Sequence, residues 1–142
     1  MKSFDLSLYL VLDPDLCRDH SMVETTMAAI AGGATLIQLR DKKAGTEGLI
    51  RVGRELMKAM EGTNVPLIVN DDIDAAIAIG AHGLHVGQDD LPSQIARDRL
   101  GPDKIIGLSI ESEDVAQKVD RTIVDYVGIG PIFATATKPD HK

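Results

Sequence analysis

Residues 66–90 read Pro66-Leu67-Ile68-Val69-Asn70-Asp71-Asp72-Ile73-Asp74-Ala75-Ala76-Ile77-Ala78-Ile79-Gly80-Ala81-His82-Gly83-Leu84-His85-Val86-Gly87-Gln88-Asp89-Asp90. A short β-branched run, Pro66–Val69, breaks into Asn70-Asp71-Asp72, and a helical segment from about Asp72 to Ile79 stops at Gly80. A second apolar run, Gly83–Val86, then ends in Gln88-Asp89-Asp90. This is one strand–helix–strand unit with acidic residues at both strand ends. Both runs are nearly continuous in apolar character rather than alternating, as expected of parallel strands covered on both faces.

The same unit repeats outward in both directions. Further strands are predicted at Leu8–Leu12, Thr35–Leu39, Ile105–Ser109 and Asp125–Ile129. Ser21-Met22-Val23-Glu24 is a capping-box match opening a helix whose Val23, Met27 and Ile30 share a face, and Gly32-Gly33 stops it. Leu49, Val52, Leu56 and Met60 mark a second helix ending near Gly62. Pro92 opens another, which carries Ile95 and Leu100 and stops at Gly101. Ser112 is an N-cap candidate, with Glu113 and Asp114 where the helix dipole favours acids.

Six strands and five helices in strict alternation suit either a doubly wound sheet or part of an eightfold barrel, and periodicity does not choose between them. Asp13-Pro14-Asp15 stands after the first strand, where a dinucleotide-binding fold would place its glycine-rich turn, so that fold loses ground. No linker, low-complexity tract or second domain interrupts residues 1–142, which read as a single domain.

Bulk properties narrow the function. Of 142 residues, 44% are hydrophobic and 26% charged, enough to bury a core. Fifteen Lys and Arg against 22 Asp and Glu give a net charge of −7, and no basic run interleaved with aromatics suggests nucleic acid. Met1-Lys2-Ser3-Phe4-Asp5 has no leader character and no apolar stretch is long enough to span a bilayer, so a cytoplasmic location is expected. Cys17 has no cysteine partner and reads as an ordinary residue.

Polar residues gather where strands end. Alternation along Gln38-Leu39-Arg40-Asp41-Lys42 aims Gln38, Arg40 and Lys42 one way, an amide and two cations suited to phosphate oxygens. Asp71, Asp72, Asp89 and Asp90 tip two adjacent strands with hard oxygen donors of the kind Mg²⁺ takes when phosphates complete its shell. Each of the four could equally be a cap or first-turn acid. Ser109 follows the fifth strand; Thr135, Thr137 and Lys138, beyond Gly128 and Gly130, offer two hydroxyls and an ammonium to a phosphate. His85 reads as a satisfied packing residue on its strand, and His20, His82 and His141 as peripheral.

Five ordered motifs carry a family likeness over about Leu8 to Lys138. Gln38–Lys42, Val69–Asp72, Leu84–Asp90, Gly107–Ser109 and Tyr126–Phe133 with Thr135–Lys138 resemble, in that order, thiamine-phosphate synthases. The resemblance implies a TIM (β/α)8 barrel of which the chain supplies the first six βα units, because family members carry two further units with glycine-rich strand tips. The 142-residue piece alone is expected to be inactive and a longer chain active, since six strands leave two unpaired edges.

The resemblance also implies a reaction and its residues. The enzyme, a transferase, would join hydroxymethylpyrimidine diphosphate to thiazole phosphate, releasing pyrophosphate and giving thiamine phosphate. Mg²⁺ would sit on Asp71 and Asp90. Gln38, Arg40, Lys42 and Asn70 would face the pyrimidine diphosphate, with Ser109 and Lys138 also on its diphosphate and Thr135 and Thr137 on the thiazole phosphate. Arg40, Lys42, Ser109 and Lys138 are the catalytic candidates, the partners are small molecules, and a homodimer is an open expectation. Glu111 departs from the family, which often has histidine there. The alternatives are a thiazole tautomerase-like paralogue, which would need neither Mg²⁺ nor pyrophosphate release, and a non-catalytic phosphate-binding barrel.

Overall fold

The structure is a computed structural model and describes residues 4–130 and Phe133. Its strands are β1 (Tyr9–Leu12), β2 (Leu36–Leu39), β3 (Leu67–Asn70), β4 (Gly83–Val86), β5 (Ile105–Ile110) and β6 (Tyr126–Ile129). Between them lie α1 (Met22–Ala31), α2 (Gly45–Ala59), α3 (Ile73–Ile79), α4 (Ser93–Leu100) and α5 (Glu113–Gln117), with a 3-10 turn at Pro14–Leu16 after β1.

Local chemistry explains the helix ends. The Glu24 amide donates to Ser21 Oγ at 3.1 Å and the Ser21 amide to the Glu24 carboxylate at 2.8 Å, closing the capping box that starts α1. Asp72 caps α3 by accepting from the Ala75 amide at 2.8 Å, and Gly80, at φ +67°, turns the chain out of it in a left-handed conformation. Ser112 caps α5, accepting from the Val115 amide. In α4 the buried residue is Ala96, whereas Ile95 on the neighbouring face is exposed.

All six strands are parallel and lie in the order β1-β2-β3-β4-β5-β6. That order separates the two architectures left open by periodicity. A doubly wound sheet reverses direction to place helices on both faces, whereas right-handed crossovers that always step the same way put every helix on one face. The packing agrees. Leu49 and Leu56 of α2, Ala75 and Ala76 of α3 and Ala96 of α4 share one buried cluster with Ile37, Leu39, Leu67, Val69, Leu84, Val86 and Ile106 of the strands, and Met27 and Ile30 of α1 border it. The opposite face has its own cluster, Leu36, Ile68, Ile105 and Tyr126 with Phe4 and Tyr9, to which no helix contributes among the described residues. The sheet is therefore a half-barrel, with helices outside and a concave interior.

His82 is exposed, as expected of a peripheral residue, and has a structural task just before β4. Its Nδ1 accepts from the Leu67 amide at 3.0 Å, and desolvation together with the nearby Lys104 holds its pKa below the usual histidine value. Among the described residues no helix is long and apolar enough to cross a membrane.

Candidate functional site

The concave interior opens at the carboxyl ends of the strands into two adjoining recesses. The larger, about 550 Å³, is lined by Tyr9, Gln38, His85 and Tyr126 among others. The smaller, about 230 Å³, is lined by Lys42, Asp71, Asp89, Asp90, Gln88 and Glu111. Arg40, Asn70 and Ser109 line both and form the wall they share.

In the smaller recess two carboxylates meet. Asp71 follows β3 in a left-handed backbone conformation, φ +62°, held by its amide donating to the His85 carbonyl at 2.8 Å. A non-glycine residue tolerates this region at a cost of order 1 kcal/mol, and aspartate is among those that do so best. The Asn70 amide donates to Asp71 Oδ2 at 2.6 Å, and Asp90 accepts from the Gly87 amide at 2.7 Å. Desolvation, then the charge of Asp90 and a hydrogen bond with it, push the Asp71 carboxyl up to about 6, against the opposing pull of Asn70 and Lys42.

Of the four acids named from sequence, the structure thus brings Asp71 and Asp90 into contact. Asp72 is turned to capping and accepts a second bond from Thr46 Oγ1 at 2.7 Å. Asp89 is exposed and borders the same recess. Among the described residues no group of three or more His, Cys, Asp or Glu side chains is arranged to hold a metal. The donor set is two carboxylates, which suits Mg²⁺, an ion that keeps most of its shell for water and phosphate oxygens. Two acids pressed into hydrogen-bonding contact also mark a place where a dication would relieve repulsion.

The amide and two cations read from the sequence spread over the two recesses, with Arg40 bordering both. Arg40 is 9% exposed and donates from Nη1 to Asp13 Oδ2 at 2.8 Å, which fixes the guanidinium in the shared wall. Lys42 borders the acid recess and acts electrostatically on Asp71. Gln38 lines the larger recess together with Arg40, its Nε2 donating to the Tyr9 hydroxyl at 2.6 Å. Thr135, Thr137 and Lys138 lie outside the described residues.

A polar run crosses the interior. From Gln38 it passes to Tyr9, from Tyr9 to the Tyr126 hydroxyl at 2.6 Å, from Tyr126 to His85 Nδ1 at 3.0 Å, and from His85 Nε2 to Ser109 Oγ at 2.9 Å. His85 is buried with both ring nitrogens engaged, so the expectation of a satisfied residue holds for it. Neither the pairing of Tyr9 with Tyr126 nor that of Asp13 with Arg40 follows from the sequence motifs. The signal that could have found the tyrosines is strand phase: Tyr9, Gln38, His85, Ser109 and Tyr126 are polar residues inside otherwise apolar strands.

Six parallel strands curved into a half-barrel, with polar side chains on the concave face and at the strand tips, define an α/β class of protein. A family model described as thiamine monophosphate synthase matches residues 8–142, and the chain belongs to that family. It is 50% identical over 137 residues to a thiamine-phosphate synthase of Azorhizobium caulinodans, covering 96% of this chain and 65% of that protein. To a thiamine-phosphate synthase of Psychrobacter it is 49% identical over 144 residues, covering 99% of this chain and 67% of the relative. A solved structure of thiamine phosphate pyrophosphorylase from Pyrococcus furiosus superposes with a TM-score of 0.79 at 33% identity, over 92% of this chain and 62% of that one. The chain therefore spans about two thirds of the length of the relatives it matches.

Proposed function

We propose that the protein is a thiamine-phosphate synthase, a transferase that condenses hydroxymethylpyrimidine diphosphate with thiazole phosphate and releases pyrophosphate. The observation that carries this reading is the smaller recess, where Asp71 and Asp90 face each other beside Lys42 and the fixed guanidinium of Arg40. Expelling a diphosphate from a pyrimidine-methyl carbon needs no protein nucleophile. It needs the leaving group's charge met by preorganised donors, each worth roughly 3–4 kcal/mol where such donors have been removed from other enzymes.

In this proposal Asp71 and Asp90 hold Mg²⁺, which when bound supplies charge neutralisation for the departing diphosphate. Arg40, Lys42, Ser109 and Lys138 contact the diphosphate oxygens; Arg40 keeps N–H groups beyond the one given to Asp13, as a guanidinium with five donors allows. Gln38 and Asn70 face the pyrimidine. Thr135 and Thr137 take the thiazole phosphate, whose ring nitrogen captures the pyrimidine-methyl cation. The six strands belong, on this reading, to an eight-stranded TIM barrel; their one-way order and single helix layer support it, as do Val11 on β1 and Ile129 on β6, exposed on the two outermost strands. A cytoplasmic site of action and a homodimer are part of the same proposal.

The test is pyrophosphate release by the protein from its complete reading frame, supplied with both substrates and Mg²⁺. Asp71→Ala should lower turnover at least about 100-fold while leaving the circular dichroism unchanged. Near-normal turnover by the folded variant would overturn the metal assignment. Metal-independent isomerisation of a thiazole phosphate without pyrophosphate release would replace the synthase by a tautomerase.

A further inference from the structure

The polar run through the interior has a direction, and the direction determines what Ser109 offers to a ligand. A carboxamide nitrogen only donates. With Gln38 Nε2 toward Tyr9, the Tyr9 oxygen accepts, and its own proton must go elsewhere. Among the described residues the hydroxyl has two partners, Gln38 and Tyr126, so that proton goes to Tyr126. Tyr126 in turn donates to His85 Nδ1, which leaves the imidazole proton on Nε2, aimed at Ser109 Oγ. The serine oxygen accepts from inside, and its own proton remains to be presented at the wall between the two recesses. Were the amide oxygen of Gln38 toward Tyr9 instead, every bond would reverse and the serine proton would be spent on His85.

We propose that Tyr126, backed by Tyr9, is a positioning residue that acts through His85 to hold the Ser109 hydroxyl as an outward hydrogen-bond donor. The inference rests on the proposed function only in taking Ser109 to meet the diphosphate. Two features support it. Burial raises both phenol pKa values above their ordinary range, so each tyrosine keeps the proton that the run requires of it. The strand between His85 and Tyr126 carries Gly107, where a Cβ would overlap the Tyr126 ring and crowd His85 Nδ1. Only a residue without a side chain lets this contact form.

The experiment reads the tautomer of His85 directly, in the unaltered protein labelled with ¹⁵N-histidine, with its signals identified by their loss in His85→Gln. Long-range ¹H–¹⁵N correlation should find Nε2 protonated and Nδ1 bare. In Tyr126→Phe the donor to Nδ1 is gone and the ring should relax to a mixture of tautomers. A proton on Nδ1 in the unaltered protein, or an unchanged tautomer in folded Tyr126→Phe, would overturn the proposal. Turnover supplies a second arm. Tyr126→Phe should lower kcat about tenfold with little change in KM, and should have no further effect in a Ser109→Ala background. Equal losses in both backgrounds would mean that Tyr126 does not work through the serine. The tautomer arm needs no substrate, so it decides this proposal even where the synthase activity itself is refuted.

Discussion

Tyr9 and Tyr126, 117 residues apart on the first and sixth strands, share a 2.6 Å hydrogen bond and stand edge to face with ring centroids 5.7 Å apart. These strands are the two margins of the sheet, so the pair spans the concave interior and ties one margin to the other. Aromatic pairs of this geometry add about 0.5–1.5 kcal/mol beyond their buried area. Losing one partner of a buried hydrogen bond costs about 1–3 kcal/mol, because the other is left unsatisfied. Tyr9→Phe should therefore lower unfolding stability by about 1–2 kcal/mol in urea. Tyr9→Phe with Tyr126→Phe should cost less than the two single changes added together, and strict additivity would show that the hydroxyls do not interact in solution.

Asp71 makes stability depend on pH in an unusual sense. Its carboxyl titrates near 6 in the folded protein against 3.8 ordinarily, so the folded state binds the proton more tightly. The contribution is fully present below about pH 4 and is lost as pH rises through 6. Asp71→Asn, which keeps the shape and suits a left-handed backbone, should make metal-free protein more stable than the unaltered form at pH 7.5, with the difference closing in acid. Mg²⁺ should stabilise the unaltered protein at neutral pH and leave Asp71→Asn unmoved. Urea titrations at the two pH values with and without the ion would show it, and a variant less stable at neutral pH would contradict the assignment.

Two ion pairs on neighbouring loops should behave differently. Arg40–Asp13 has side chains 11% and 21% exposed, whereas Lys43–Asp15 has 78% and 63%. Asp13→Ala strands a guanidinium in a dry wall and also removes the cap that accepts from the Asp15 amide. A loss of about 3 kcal/mol is expected there, against under about 1 kcal/mol for Asp15→Ala. Comparable effects of the two changes on the urea midpoint would mean that the Arg40 pair is solvated.

Gly107→Ala tests the packing beneath the polar run. Its methyl has nowhere to go between Tyr126 and His85, and overpacking of this kind costs about 1–3 kcal/mol. The variant should also perturb the His85 ring resonances, and a protein of unchanged stability with unshifted histidine signals would show that the contact is looser than described.

Much of the fold was legible because each βα unit carries its own punctuation. Gly83–Val86 forms the strand expected of it, and Ser21, Asp72 and Ser112 act at helix starts, since caps are local contacts written in adjacent residues. The choice of a half-barrel over a doubly wound sheet was not legible from periodicity, because strand order is a long-range property to which hydropathy is blind. The site divides in the same way. Asp71 and Asp90 could be named from strand-tip position, but not separated from Asp72, whose carboxylate the helix start claims. Arg40 could be named, but its partner Asp13 lies 27 residues away at another strand end. Tyr9 and Tyr126 lie within apolar strand runs, and only the curvature of the sheet brings their hydroxyls together.

The tyrosine bridge also bears on the order in which the parts can come into being during synthesis. The acid recess is lined by residues between Arg40 and Glu111, all of which precede the sixth strand. The alignment of Ser109 has to wait for Tyr126. A nascent chain halted just short of the sixth strand would thus lack the donor that sets the His85 proton, and with it the direction of the Ser109 hydroxyl.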